Sequence, residues 1–244
     1  MNPTEEIRIN RYLSMSGYCS RRQADDLLSK GQVTINGTIA GVGDRVPEGA
    51  VVLVNGEPVQ PSEEMVYILL NKPLYITCTS DPNDKNNVID FIRYPQRIFH
   101  VGRLDQMSTG LLLLTNDGEL TYHLTKTAEA HEKEYRVMVN RDITEDFIEK
   151  MRSGVDIGDA VTLPCKVIQR EERVFTIVLT QGLNRQIRRM CEALEYKVAK
   201  LKRVRIENLL LGSLPLGQWR HLHPHEITEL KRRLHRNDGV TKKQ

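Results

Sequence analysis

The sequence predicts an α+β protein of two domains, on three observations. Strand-like runs outnumber helical ones in the long C-terminal part, so crossover helices are too few for a parallel sheet and a mixed, largely antiparallel one is expected. The first sixty residues carry helix and hairpin signals of their own. Between the two parts, residues 57–64 hold two prolines and three acids, the composition of a linker. Boundaries are expected at 1–60 for the small domain, 61–65 for the linker and 66–232 for the large domain, with a basic tail over 233–244.

Helix one is expected from Glu5 to Ser16, burying Ile9 and Leu13 and stopping at Gly17. Helix two starts with Ser20 as N-cap and Gln23 three residues on, a capping box, and Gly31 closes it. Val33–Ile35, Asn36-Gly37 and Thr38–Ala40 read as a hairpin with a strong turn signal, and Val51–Val54 adds a strand. In the large domain Val66–Leu70, Leu111–Leu114, Glu134–Val139 and Val174–Thr180 read as strands, with helices near Glu119–Leu124 and Glu145–Met151.

Composition excludes several classes. The 244 residues, 39% hydrophobic, suffice for one substantial core and a smaller module. No run of about eighteen apolar residues exists, and the first residues lack a basic and then apolar signal pattern. A soluble, cytoplasmic protein is expected, with no membrane partner. Cys19, Cys78, Cys165 and Cys191 are scattered without a Cys-x-x-Cys pair, which argues against zinc and against a disulfide framework. His221-Leu222-His223-Pro224-His225 is the nearest metal candidate, but Pro224 suits the first position of a helix. With no phosphate loop or dinucleotide fingerprint, neither cofactor nor metal is expected.

A net charge of +3 does not announce a nucleic-acid partner, but its distribution is uneven. Residues 181–205 hold eight Lys/Arg against two Glu, a net +6, and residues 219–244 hold seven against three, a net +4. The first run surrounds an anomalous helix. Asn184 can N-cap it, and Ile187, Met190, Cys191 and Leu194 fall at i, i+3, i+4 and i+7 as one buried face. Arg185, Arg188 and Arg189 sit in its first turns, where the helix dipole disfavours cations by about a few tenths of a kcal/mol each. At 100° per residue Arg188 and Gln186 border the apolar stripe, whereas Arg185 and Arg189 point away from it. Arg188 can thus reach a buried carboxylate while Arg185 and Arg189 meet an external anion. Such a carboxylate exists in Gly102-Arg103-Leu104-Asp105-Gln106-Met107-Ser108-Thr109-Gly110, at the mouth of the apolar Leu111–Leu114 run, although a plain polar turn also accounts for that spacing.

Taken together, Lys72-Pro73, Gly102-Arg103-Leu104-Asp105 with Ser108-Thr109-Gly110-Leu111, Lys133-Glu134-Tyr135 and Gln186-Ile187-Arg188 resemble, in that order, the pseudouridine synthases that modify ribosomal RNA. The resemblance runs from Ile7 to about Leu230. Ser20-Arg21-Arg22 and Gly31–Gly37 resemble the small RNA-binding module named after a small-subunit ribosomal protein, here termed S-four-like. The large domain is therefore expected to be the catalytic one. Residues 131–135, 181–192 and 215–220 are most similar to the F-type, large-subunit branch. One departure stands out, Tyr75 occurring where the family usually has Gly.

The resemblance implies an isomerase that moves uracil from its nitrogen linkage to a carbon linkage without a cofactor. It assigns the nucleophile to Asp105, kept ionised by Arg188, and base stacking to Tyr135, whose position in a strand also suits plain packing. Attack on the sugar, through a glycal, is favoured over attack on the uracil ring, though the sequence leaves both open. Arg103 is expected to fill the gap left by the extruded base, with a salt bridge to Asp105 or Asp117 as the simpler reading. Lys72 is expected to shape the pocket floor and to meet phosphate or sugar, a simple loop role serving equally well, and Arg185 and Arg189 are expected at an external anion of the RNA. In the small domain, where six Lys/Arg face seven acids, only a local patch of Arg8, Arg11, Arg21 and Arg22 can bind RNA, with Asp25 and Asp26 directed elsewhere. The partners implied are 23S rRNA and the anticodon uridine of a tyrosine tRNA, the chain acting as a monomer. Two other classes share these features: a non-catalytic ribosome-assembly factor, and a glycosylase that releases uracil. Product analysis separates them.

Overall fold

A computed structural model of the chain describes residues 6–61, 64–126 and 130–238. One compact unit contains the described residues up to Val66 together with Tyr94–Ile98 and Asn116–Gly118, and a larger one contains Tyr67–Arg93, Phe99–Thr115 and the chain from Glu119 onward.

In the smaller unit, β1 (Ile7–Arg8) leads into α1 (Ile9–Met15), and α2 (Arg21–Ser29) follows. The expected helix start at Glu5 lies outside the described residues, and Ile7–Arg8 is held extended by antiparallel pairing with β4 (Arg45–Val46). The Ser20 capping box forms as expected, with the Gln23 side chain reciprocating. Asn10 donates to Asp25 at 2.9 Å and ties the two helices. Beyond them, β2 (Val33–Ile35) and β3 (Thr38–Ile39) form the predicted hairpin, with Asn36 and Gly37 both at positive φ as its two-residue turn requires. The sheet continues to β5 (Val52–Val54) and β6 (Glu57–Pro58), in the order β3-β2-β5-β6. The proline- and acid-rich run thus begins as sheet, because Glu57–Pro58 pairs with β5 at the sheet edge, where a proline is tolerated.

The larger unit is built on one nine-stranded sheet. Its elements are β7 (Tyr67–Lys72), α3 (Val88–Ile92), β8 (Phe99–Val101), β9 (Thr109–Thr115), α4 (Gly118–Thr125), β10 (Lys133–Val139), α5 (Glu145–Ser153), β11 (Lys166–Glu171), β12 (Val174–Leu179), α6 (Gln186–Ala193), β13 (Val198–Ile206), β14 (Leu209–Leu210), β15 (Trp219–His221) and α7 (Pro224–Asp238). The main path is β11-β12-β10-β13-β9-β7-β15, with β14 on β13 and β8 on β9. Every pairing is antiparallel except β13 with β9, so the sheet is mixed and largely antiparallel. The unbroken apolar runs Ile68–Leu70 and Leu111–Leu114 are fully buried, as strands covered on both faces must be. Leu120 and Leu124 of α4 and Leu230 of α7 pack with Leu69, Leu111 and Leu113, while Phe147 of α5 and Ile187 and Met190 of α6 pack with Val137, Phe175 and Ile177.

The single parallel pairing is short, Lys202↔Thr109 and Arg203↔Gly110, and has a steric condition. A Cβ on Gly110, whose φ is +106°, would lie 2.2 Å from the Arg203 carbonyl oxygen. Only glycine lets these strands meet. At the C-terminal end, Pro224 opens α7 as anticipated, but the helix runs to Asp238, so the first part of the expected basic tail is helical.

Candidate active site

The loop between β8 and β9 carries the expected nucleophile. Gly102, at φ +67°, turns the chain out of β8, and Ser108 N–H donates to the Asp105 carbonyl at 3.0 Å, closing a turn that presents the Asp105 carboxylate. That carboxylate is partly exposed, beside a cavity of about 390 Å³ lined by Arg103, Asp105, Lys133, Tyr135, Arg185 and Arg203 among others.

Arg188 comes to Asp105 from α6, with Nε 3.9 Å from Oδ2, an ion pair longer than a hydrogen bond. Its Nη2 donates to the Met107 carbonyl at 2.7 Å and its Nη1 to the Val198 carbonyl at 3.4 Å, so the guanidinium braces the loop from behind while its Nε has no bonded partner. Burial lowers the Arg188 pKa and Arg185 adds to this, while Asp105 acts in the opposite sense.

The start of α6 differs from expectation. Its N-cap is Arg185, in the left-handed region at φ +47°, with no side-chain cap, and Asn184 lies one residue outside. Gln186, buried, reaches back instead and accepts from Leu183 N–H at 3.1 Å. That turn leaves Arg185 exposed at the cavity.

Two residues expected at RNA are engaged within the protein. Lys72 is 0% exposed, and its ammonium donates to the carbonyls of Pro73 and Ile76 at 2.8 Å each, so it shapes its own loop and cannot touch a phosphate. Burial lowers its pKa, with Cys78 and Asp105 acting against that. Arg189 is bound to Asp159 and to the Ile157 carbonyl, an internal tie across the domain. The basic run as a whole is less external than its charge count suggests. Arg188 and Arg203 turn inward, Arg189 is paired, Arg205 bonds Glu132 and Glu134 at 2.9 Å each and Lys202 is half-buried, which leaves Arg185, Lys197 and Lys200 as its exposed cations.

Tyr135 is half-buried on β10, packs against the core and lines the cavity. Directly across from it on β13 is Arg203, 2% exposed. Its Nε donates to the Leu111 carbonyl at 2.7 Å and its Nη1 to the Arg103 carbonyl at 3.3 Å, so one guanidinium staples both ends of the Asp105 loop. Sequence reading counted Arg203 only within a charge run. The available signal was its alternation with Leu201, which puts a cation at a core-facing strand position. Lys133 was likewise passed over as a site residue. It donates to the His131 carbonyl at 3.0 Å, and burial, with Arg203 beside it, brings its pKa down to about 8, Glu207 acting the other way. Glu207 accepts from Glu132 N–H at 2.8 Å and contacts His131 Nδ1 at 3.2 Å; burial raises its pKa, but these bonds outweigh it and hold the carboxyl below its usual range. Cys78, its thiol pushed up by burial, accepts from Leu104 N–H at 3.4 Å beside Asp105.

The remaining site candidates, Arg8, Arg11, Arg21 and Arg22, lie in the smaller unit around the start of α1 and α2; Arg8, Arg21 and Arg22 are exposed and Arg11 is partly so. Among the described residues no group of three or more His, Cys, Asp or Glu is placed to hold a metal, and no helix is long and apolar enough to cross a membrane.

A mixed sheet with an Arg-braced aspartate facing a strand tyrosine over a cavity defines an RNA-modifying isomerase fold, and the chain belongs to the pseudouridine synthase family: residues 66–193 match the RNA pseudouridylate synthase family and residues 7–52 the S4 domain. It is 47% identical over 232 residues to the dual-specificity RNA pseudouridine synthase RluF of Escherichia coli K12, covering 94% of this chain and 80% of that protein. It is 36% identical to ribosomal large subunit pseudouridine synthase B of Bacillus subtilis, over 92% of this chain and 95% of that one. A crystal structure of a pseudouridylate synthase, 29% identical, superposes with a TM-score of 0.67 over 92% of this chain and 99% of that chain.

Proposed function

We propose that the chain converts a uridine of 23S rRNA to pseudouridine, in the bacterial cytoplasm and as a monomer, with the anticodon uridine of a tyrosine tRNA as a second substrate. The observation that carries the chemistry is the Asp105 carboxylate at the cavity wall with Arg188 Nε 3.9 Å away. The likeness to a dual-specificity synthase supports the choice of substrates.

In this reading the uridine is extruded from its stack, at a cost of about a few kcal/mol, and its ring enters the cavity against Tyr135. Arg188 holds a positive charge beside the Asp105 carboxylate, which acts on the sugar. The bond between C1′ and uracil N1 breaks, and the detached ring turns on the tyrosine. A bond then forms from C5 to C1′; the C5 proton leaves, with Tyr135 assisting, and N1 gains one. No electron is exchanged with an outside partner. Arg103 fills the space left in the RNA stack, Arg185 meets phosphate at the cavity mouth, and the Arg8, Arg11, Arg21 and Arg22 patch grips a neighbouring helix.

The test is incubation of the purified protein with total bacterial RNA, followed by mapping of new pseudouridines. New sites in large-subunit RNA and in the tyrosine tRNA are expected. Free uracil as product, or RNA binding without any product, would replace this reading by a glycosylase or an assembly factor.

A further inference from the structure

We infer that Tyr75 is a stacking platform for the nucleobase next to the extruded uridine, an inference that rests on the function proposed above. Tyr75 adopts φ +65°, a backbone conformation that a bulky side chain takes only under strain. Its surroundings over-determine that conformation. Its N–H donates to the Gln106 carbonyl at 3.0 Å, and the Gln106 side-chain amide donates back to the Tyr75 carbonyl at 3.2 Å. On either side, the buried Lys72 ammonium holds the carbonyls of Pro73 and Ile76. Tyr75 nevertheless remains 61% exposed, so folding gains little from its ring.

A strained backbone that holds an exposed aromatic ring in place makes sense at a contact surface. Gln106 follows Asp105 in the chain and lines the cavity, as does Thr77, two residues beyond Tyr75. The clamp therefore fixes the backbone that bears the ring next to Gln106 and Thr77, which line the nucleophile's cavity. Extruding a uridine strips one face of each of its two neighbouring bases; Arg103 covers one of them, and a tyrosine ring beside the cavity supplies the replacement for the other. Stacking of this kind tolerates any base, so Tyr75 adds affinity for an opened RNA strand without reading its sequence.

The test compares wild type with Tyr75→Gly and Tyr75→Phe. Glycine takes a positive φ freely, so Tyr75→Gly retains a wild-type urea midpoint and separates ring loss from misfolding. On an RNA fragment containing the target uridine, Tyr75→Gly raises KM about tenfold and leaves kcat within about twofold, while Tyr75→Phe matches wild type. A second readout places 2-aminopurine at the neighbouring base, with Asp105→Asn as background to hold the substrate unreacted. Emission stays quenched when position 75 keeps its tyrosine or carries Tyr75→Phe, and brightens with Tyr75→Gly. Equal KM and equal quenching in Tyr75→Gly would overturn the inference while leaving the synthase reading intact. Failure of the wild type to form pseudouridine in any RNA strikes the parent reading instead, and unchanged quenching on the bound RNA still decides the fate of the platform.

Discussion

Arg188 stands 3.9 Å from Asp105 through Nε while it bonds the carbonyl of Met107, two residues further along the same loop, at 2.7 Å. One guanidinium thus sets both a positive charge beside the carboxylate and the position of the loop that bears it. Arg188→Lys keeps the charge and loses the planar fork that makes these two contacts at once. Its kcat is expected to fall by about a hundredfold, with RNA affinity near normal; wild-type turnover would show that the pair is incidental. Asp105→Asn is expected to abolish turnover while leaving folding and RNA binding intact, and measurable isomerisation by it would sink the mechanism.

Arg203→Lys tests the staple across the Asp105 loop. Lysine cannot serve the Leu111 and Arg103 carbonyls together, and each buried carbonyl left without a donor costs about 1–3 kcal/mol. A lower urea midpoint is expected, with kcat reduced more than KM rises. An unchanged kcat in the folded variant would mean that the loop holds its shape unaided.

Gly110→Ala addresses the parallel strand pair. The added methyl would meet backbone of Arg203 and not a side chain that could swing away, so the strands must part. A loss of about 3–5 kcal/mol in unfolding free energy is expected. Wild-type stability in this variant would show that the β9 and β13 junction is looser than described.

Lys133 gives a pH-dependent signature. Its folded pKa of about 8 lies below its ordinary value of 10.5, so the unfolded chain binds the extra proton between those limits. The sign follows from linkage: stability rises with pH across that window, and the penalty for burying the ammonium is present in full below about pH 8. Lys133→Met is therefore expected to raise the melting temperature at pH 7 and to lose that advantage above about pH 10. A pH-independent difference would show that Lys133 is not buried as a cation.

The helices and strands were legible wherever periodicity or turn chemistry was strong, as in the Ser20 capping box, the Asn36-Gly37 hairpin and the run from Leu111 to Leu114. Failures have a common cause, since the partner lay outside the local pattern. Asn184 has the right chemistry for a cap, but the helix starts one residue later than that pattern implies, at Arg185 without a side-chain cap, and the buried Gln186 amide bonds back to Leu183 N–H. Arg189 reads as an outward cation until Asp159 is placed beside it. Lys72 reads equally as a phosphate contact and as a loop residue until the following loop folds back over it. Pairing Asp105 with Arg188 was readable, because a first-turn arginine on an apolar helix border has few reasons to exist. Arg203 was legible only in part, since its alternation with Leu201 marks a core-facing cation but the carbonyls that it staples lie about a hundred residues earlier.

The contact between β9 and β13 also has a consequence in time. Arg203 follows the Arg103 carbonyl that it binds by 100 residues. While the ribosome is still making the intervening strands and helices, the loop with the nucleophile has emerged with only the earlier Tyr75 and Cys78 to tie it, and neither Arg188 nor Arg203 has yet been added. A nascent or prematurely ended chain stopping short of β13 can therefore present aspartate without a working centre. Long-range closure of this kind makes the site one of the last parts of the molecule to mature.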